Sequence, residues 1–276
     1  MINGDIEEKT SYVKEIFEFF KSLKIQLRVV HALLMREIIT RYGRHNIGFA
    51  WLFLEPMLFT TGITVLWYTL KNTHGSDLPI VPFAVTGYST VLLWRNVANR
   101  VTHAVEANTG LLYHRNVKVL DVFLARMLLE VSGATMSFLI LSFTFFFIDL
   151  MTVPSNFLMM FQGWFLLAWF ALGLGMIVGS LAALSDIVDR LWHTFTYLLF
   201  PLSGAAYMVS WLPYQLQEYV LFLPMVHATE IIRQGYYGDI VNTFGDSYYL
   251  IKCNMVFSFL GLLAVRYVSK KIEGHH

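Results

Sequence analysis

FLMMFQGWFLLAWFALGLGMIVGSLAAL, residues 157–184, runs without a single charged side chain. A helix rises 1.5 Å per residue, so about 20 apolar residues cross the hydrocarbon core of a bilayer. The segment is long enough to do so, and it sets the solvent for the rest of the chain. Working outward, further apolar runs cover 48–70, 82–103, 122–148, 191–209 and 248–268, the fifth interrupted by Pro201. The expected fold is an all-α membrane protein with six transmembrane helices. Between the fifth and sixth, Pro213 and Pro224 cut 212–245 into pieces too short to cross, which predicts re-entrant or interfacial helices on the external side.

Composition agrees. The chain is 56% hydrophobic and 14% charged, with a mean hydropathy of +0.55. A water-soluble domain carries about 25% charged residues. At 276 residues there is room for one compact unit and no second large soluble domain. The expected division is a cytoplasmic amphipathic segment over 1–47, a six-span domain over 48–271 and a tail over 272–276, whose His275 and His276 look like a tag remnant. No signal peptide is expected at the start, where the chain is charged rather than apolar. The one cysteine, Cys253, rules out an intrachain disulfide.

Residues 11–42 repeat apolar side chains at three- and four-residue steps: Val13, Ile16, Phe17, Phe20, Leu23, Leu27, Val30 and Leu34. Lys14, Lys21, Lys24, Arg28, Arg36 and Arg41 fill other positions, as in a basic helix lying on a membrane surface or a soluble helix packed on a partner. Cations gather in alternate loops. Arg36, Arg41 and Arg44 precede the first span, Arg115 and Lys118 follow the second, Arg190 precedes the fifth, and Arg266, Lys270 and Lys271 close the chain. The positive-inside bias then puts both termini in the cytoplasm.

Several chemistries are missing. There is no G-x-x-x-x-G-K-[ST], so no P-loop binds nucleotide, and no H-E-x-x-H, C-x-x-C or G-x-S-x-G. The nine histidines show no ligand spacing apart from the final pair, so no metal is expected. Glu55 with Arg100 is the one acid–base pair that a membrane-enzyme reading could use.

The second span is polar in its latter half. Tyr88, Arg95, Asn99, Thr102 and Glu106 share one face, with Asn96, Arg100 and His103 beside it. Such groups at membrane depth face a hydrated route or a partner, or else the helix projects into the cytoplasm, where they are ordinary. Tyr68, Tyr88, Trp94, Tyr197 and Tyr207 are candidates for a path in which aromatic rings pack on sugar faces. The set of candidate path residues is therefore Tyr68, Tyr88, Trp94, Arg95, Asn99, Arg100, Tyr197 and Tyr207. Ala171, Gly175, Gly179 and Ala183 recur every fourth residue, which suits close packing of helix backbones.

The stretch Arg41-Tyr42-Gly43-Arg44-His45-Asn46-Ile47-Gly48-Phe49-Ala50-Trp51, followed by Glu55-Pro56, resembles the approach to the first span in type-2 ATP-binding-cassette permeases, and within them the capsular-polysaccharide exporters. Segments 108–126, 185–190, 203–207 and 224–238 are similar to further family segments in the same order. The coupling segment departs from the family's Lys-Lys-Val-x-Phe-Pro pattern, having His114-Arg115 and no proline.

The resemblance implies a bacterial inner-membrane homodimer that moves lipid-linked polysaccharide from cytoplasm to periplasm along a path between two protomers. O-antigen, teichoic acid or a smaller amphipathic cargo is the alternative. It implies no cofactor on this chain, with ATP and Mg on a separate nucleotide-binding subunit, and periplasmic and outer-membrane export partners. No nucleic-acid partner is expected. By the same resemblance, Arg115, Asn116, Val117, Lys118, Asp186, Asp189 and Arg190 couple to the ATPase, and Arg36, Arg41 and Tyr42 belong to the interface helix.

Overall fold

The computed structural model describes residues 2–43, 46–70, 78–112 and 117–273, with side chains described from Phe17 onward except at 42, 46–49 and 273. The described residues are helical with no strand. They run as α1 (Ile2–Tyr42), α2 (Asn46–Leu70), α3 (Ile80–Val101), α4 (Thr109–Leu112), α5 (Val119–Phe147), α6 (Phe157–Leu184), α7 (Asp186–Leu202), α8 (Tyr214–Val220), α9 (Pro224–Tyr237) and α10 (Ser247–Glu273).

Among the described residues, four helices are long and apolar enough to cross a membrane, over Ala50–Leu70, Val119–Phe147, Phe157–Leu184 and Ser247–Ile272. The apolar run at 157–184 has the boundaries expected of it. α3 fails that test for a physical reason. It is the centre of the bundle, packed by α2, α5, α6, α7 and α9, and from Val81 to Trp94 every residue is buried. A helix that touches protein on all sides carries threonine, serine and glycine where a lipid-facing helix carries leucine. The polar Thr86 and Thr90 are satisfied internally, donating to Pro82 and Gly87 carbonyls at 2.7 and 2.6 Å.

α7 differs from expectation. The pattern predicts a helix over 191–209 broken in the middle by Pro201, whereas the helix starts at Asp186 and ends at Leu202. Pro201 therefore sits in the last turn. The stop comes from Gly204, whose φ of 79° lies in the left-handed region and turns the chain away. The two short pieces expected between Pro213 and 245 become α8 and a longer, almost wholly buried α9, whose end is tied to the start of α6. Ser155 and Asn156 donate their N–H groups to the carbonyls of Tyr236 and Gly235 at 3.1 and 2.7 Å.

α1 has two parts. Phe17, Phe20, Leu23 and Leu27 are exposed, while Val30 and Leu33 are buried where the helix packs on α5 and α2. Gln26 donates to Asp121, which also accepts the Lys118 N–H at 2.9 Å and so fixes the first turn of α5.

The small residues of α6 pack inside the protomer. A Cβ at Gly179 would lie 2.4 Å from Val101 Cγ1 and 3.2 Å from the Val101 carbonyl oxygen, so α3 and α6 meet there almost backbone to backbone. At Gly175 the nearest atom is the flexible Met127 thioether, 2.8 Å away. Overpacking costs about 1–3 kcal/mol when the neighbour cannot move. Gly179→Ala should therefore lower the thermal midpoint of the purified protein clearly more than Gly175→Ala. Equal midpoints would mean that α3 and α6 are further apart.

Candidate functional site

Beyond Trp94, one face of α3 stays in the core through Val97, Ala98 and Val101, and the other forms one wall of an open cleft of about 680 Å³. The end of α1 supplies Arg36, Glu37 and Arg41, and α2 supplies Glu55, Pro56 and Phe59. Arg95, Asn96, Asn99 and Arg100 come from α3, Arg126 from α5 and His193 from α7, with His103 and Asn108 beyond α3.

Charge organises the cleft. Glu130 of α5, whose side chain is 7% exposed, accepts from Arg41 and lies 3.7 Å from Arg100 Nε. Glu37 bridges Arg41 at 3.0 Å and Arg126 at 2.9 Å. Glu55, for which the sequence alone gives no structural partner, meets Arg100 at 3.4 Å, and Arg126 also donates to the Arg100 carbonyl at 3.2 Å. The other two cleft arginines have no such pairing among the described residues. Arg36 donates to the neutral Asn108 side chain at 2.6 Å, and Arg95 lies 4.8 Å from the centre of the Tyr197 ring. Five arginines (36, 41, 95, 100 and 126) face three carboxylates (37, 55 and 130), which leaves the cleft net cationic. Fixed guanidiniums held partly out of water attract anions more strongly than the same charges on an open surface.

The predicted path residues divide. Arg95, Asn99 and Arg100 line the cleft, and Asn99 accepts from Trp192 Nε1 at 2.8 Å, which holds α7 against α3. Tyr197 and Tyr68 are exposed on α7 and α2. Trp94, 1% exposed, packs the core rather than facing open space, because the polar face of α3 begins one residue later. Tyr88 is likewise buried, its ring 6.3 Å from Phe59 and 6.0 Å from Trp67 in edge-on arrangements. Tyr207 lies away from the cleft, donating to the Leu202 carbonyl at 2.8 Å.

Of the interface residues, Arg36 and Arg41 are in the cleft, and the Tyr42 side chain is outside the described set. Among the coupling residues, Arg115 and Asn116 also fall outside it. Val117 is half-buried, Lys118, Asp186 and Arg190 are exposed, and Asp189 is half-buried.

The buried Arg233 organises the end of the bundle opposite the cleft. Its guanidinium donates to the carbonyls of Gly204, Ala205 and Tyr207 at 2.7, 2.6 and 2.6 Å, and stacks 3.9 Å from the Phe83 ring centre. The turn after α7 is thus wrapped around a side chain of α9. Gly87 makes room, since a Cβ there would sit 2.4 Å from the Ala205 carbonyl oxygen. Glu230, one turn earlier, accepts the N–H groups of Val209 and Phe244 at 3.3 and 3.1 Å.

Residues 28–237 match the ABC-2 type transporter family. The chain belongs to that family. The match runs from the inner part of α1 to the end of α9, so it takes in both the cleft and the Arg233 anchor. The chain is 47% identical over 255 residues to the capsule polysaccharide export inner-membrane protein CtrC of Neisseria meningitidis, covering 92% of this chain and 96% of that one. It is 44% identical over 255 residues to the similarly described BexB of Haemophilus influenzae, with the same coverage. To the polysialic acid transport protein KpsM of Escherichia coli it is 28% identical over 246 residues, 88% of this chain and 94% of that one. The family resemblance read from the sequence is therefore correct.

Sequence reasoning missed Glu37, Asn108, Arg126 and Glu130. A signal existed for Glu130, since an acid inside an apolar span demands a partner. It also missed a histidine grouping. His193 lies four residues after Asp189 on α7, and His103 is brought to the same carboxylate from beyond α3. One of the three residues comes from a distant part of the chain, where spacing along the sequence carries no signal.

Removing one partner of a buried pair leaves an uncompensated charge and costs about 3–5 kcal/mol, whereas an exposed pair is worth about 1 kcal/mol or less. Glu130→Ala should lower stability severely. Glu55→Ala should change it little, because the Glu55 side chain is 52% exposed and Arg100 keeps Glu130. Denaturation of the purified variants in detergent measures both, and the opposite ranking would contradict this network.

Proposed function

We propose that the chain is the permease subunit of an ATP-binding-cassette exporter that moves lipid-linked capsular polysaccharide from cytoplasm to periplasm. One observation carries the reading: a cationic, arginine-lined cleft in a chain that is 47% identical, over nearly its whole length, to a capsule export inner-membrane protein. Guanidiniums not matched by carboxylates suit an acidic polymer or the phosphate of a lipid linker. Exposed Tyr197 and Tyr68 offer rings for sugar faces. These groups would serve any acidic polymer and are not tied to one sugar.

On this reading α2, α3, α5, α6, α7 and α10 are the six spans, with α8 and α9 re-entrant on the periplasmic side. α3 is 22 residues and crosses inside the protein. α7, at 17 residues or about 26 Å, is just shorter than the hydrocarbon core and relies on the turn around Arg233 to complete the crossing. Residues 1–47 form the cytoplasmic interface segment, 48–271 the membrane domain and 272–276 a tail. Both termini are cytoplasmic by the distribution of basic residues. The exposed aromatic part of α1 lies at the membrane surface.

Two such chains would form the path between them. A separate nucleotide-binding subunit holds ATP and Mg, since this sequence has no P-loop, and periplasmic and outer-membrane proteins receive the polymer. The segments around Arg115–Lys118 and Asp186–Arg190 act as levers that transmit nucleotide-driven closure to α3 and α7. The chain itself carries no catalytic role.

Reconstitution of the permease with its ATPase partner tests this. Acidic capsular polymer should cross only when the partner and ATP are both present. Arg36→Gln combined with Arg95→Gln should slow export of the acidic polymer about tenfold or more and lower its sensitivity to salt, since less attraction remains to be screened. Polymer movement by the permease alone, or unchanged export by the double variant, would overturn the reading.

A further inference from the structure

We propose that His103, Asp189 and His193 form a binding site for a divalent transition metal of the zinc class, tying the end of α3 to the first turns of α7. Asp189 is central to it. His103 Nε2 lies 3.5 Å from Asp189 Oδ2, and His193 Nε2 lies 3.5 Å from Asp189 Oδ1. One ligand atom from each residue falls within 4.8 Å of the other two. Zinc binds imidazole nitrogen and carboxylate oxygen at about 2.0–2.2 Å, which puts neighbouring ligand atoms of a tetrahedron roughly 3.4 Å apart. Each 3.5 Å separation is close to that edge, and because they run to different oxygens of Asp189 the carboxylate would face the ion with both.

The surroundings support a cation. Asp189 Oδ1 is shielded from solvent and accepts no hydrogen bond from the described residues, so its lone pairs are available. Both histidines are partly exposed, which leaves room for water as a further ligand. Glu106 Oε2 lies 3.7 Å from His103 Nδ1 and is placed to orient the ring from its far side, as carboxylates do around metal-bound histidines. The frame is already rigid. Asp189 and His193 are four residues apart on one helical face, and the Trp192–Asn99 hydrogen bond of 2.8 Å clamps α7 to α3 beside them. Arg100 of α3 is committed to Glu55 and Glu130. Two imidazoles and a carboxylate favour Zn²⁺, Ni²⁺ or Cu²⁺ over Mg²⁺ or Ca²⁺, which prefer all-oxygen sites.

The test is a Zn²⁺ titration of the full-length chain, purified by a tag free of histidine and carrying His275→Ala and His276→Ala, in competition with a chromogenic chelator. One Zn²⁺ per chain should bind. His103→Ala, Asp189→Asn and His193→Ala should each weaken binding about tenfold or more, while His193→Cys, which keeps a ligand, should retain it. Zn²⁺ should also raise the thermal midpoint of the parent chain and not that of Asp189→Asn, with folding of each variant checked by its midpoint in EDTA. Absence of a bound Zn²⁺, or the same affinity in all three loss variants, would overturn the site and leave the cluster as imidazolium–carboxylate pairing.

Discussion

A charged side chain inside an apolar helix bundle must find its counter-charge within the protein, and Glu130 meets that demand here. It sits on α5 and holds Arg41 of α1 and Arg100 of α3, so one buried carboxylate connects three helices. Without it, the cationic half of α3 could not be tolerated so close to the core. With it, some guanidiniums are paired with a carboxylate while Arg36 and Arg95 meet a neutral amide and an aromatic ring. The stability of the bundle and the polarity of the cleft therefore have the same origin.

A buried cation, Arg233, plays a comparable part at the other end. Arg233 directs its hydrogen bonds to backbone carbonyls rather than to a cargo, and so fixes the turn after α7 and seats α9 beside α3. Its neighbours suit an anchor, since Gly87 gives it space and Phe83 gives it a flat surface. Two arginine-based constructions, one closed and one open, bracket a central helix whose middle is packed on every side.

Much of the fold is legible in the sequence because lipid imposes a length and a composition. The run at 157–184 reads correctly to the residue, and the small residues within it point to the tight α3–α6 contact. The end of α7 was not legible. Pro201 marks a weakness in the helix, but the stop depends on Gly204 and on Arg233, which arrives from a later segment. The polar face of α3 was legible from its spacing, yet Trp94 and Tyr88 were assigned to a path although both are buried. An aromatic residue in a membrane helix looks the same in sequence whether it meets lipid, core or cargo. Glu55 and Arg100 do meet, as a partly exposed ion pair. The partners from α1 and α5, and the His103 contribution to the Asp189 cluster, required long-range packing to appear.

The central claim is that the face of α3 beyond Trp94 opens to water on the side of the membrane that holds the basic loops. Cysteine accessibility tests it most directly, in a background with Cys253→Ser. Asn96→Cys, which lines the cleft, should react with a membrane-impermeant maleimide in inverted inner-membrane vesicles and not from the periplasmic side of intact spheroplasts. Ala98→Cys, fully buried, should be protected from both. Labelling of Asn96→Cys from the periplasmic side, or equal protection of the two positions, would contradict the account.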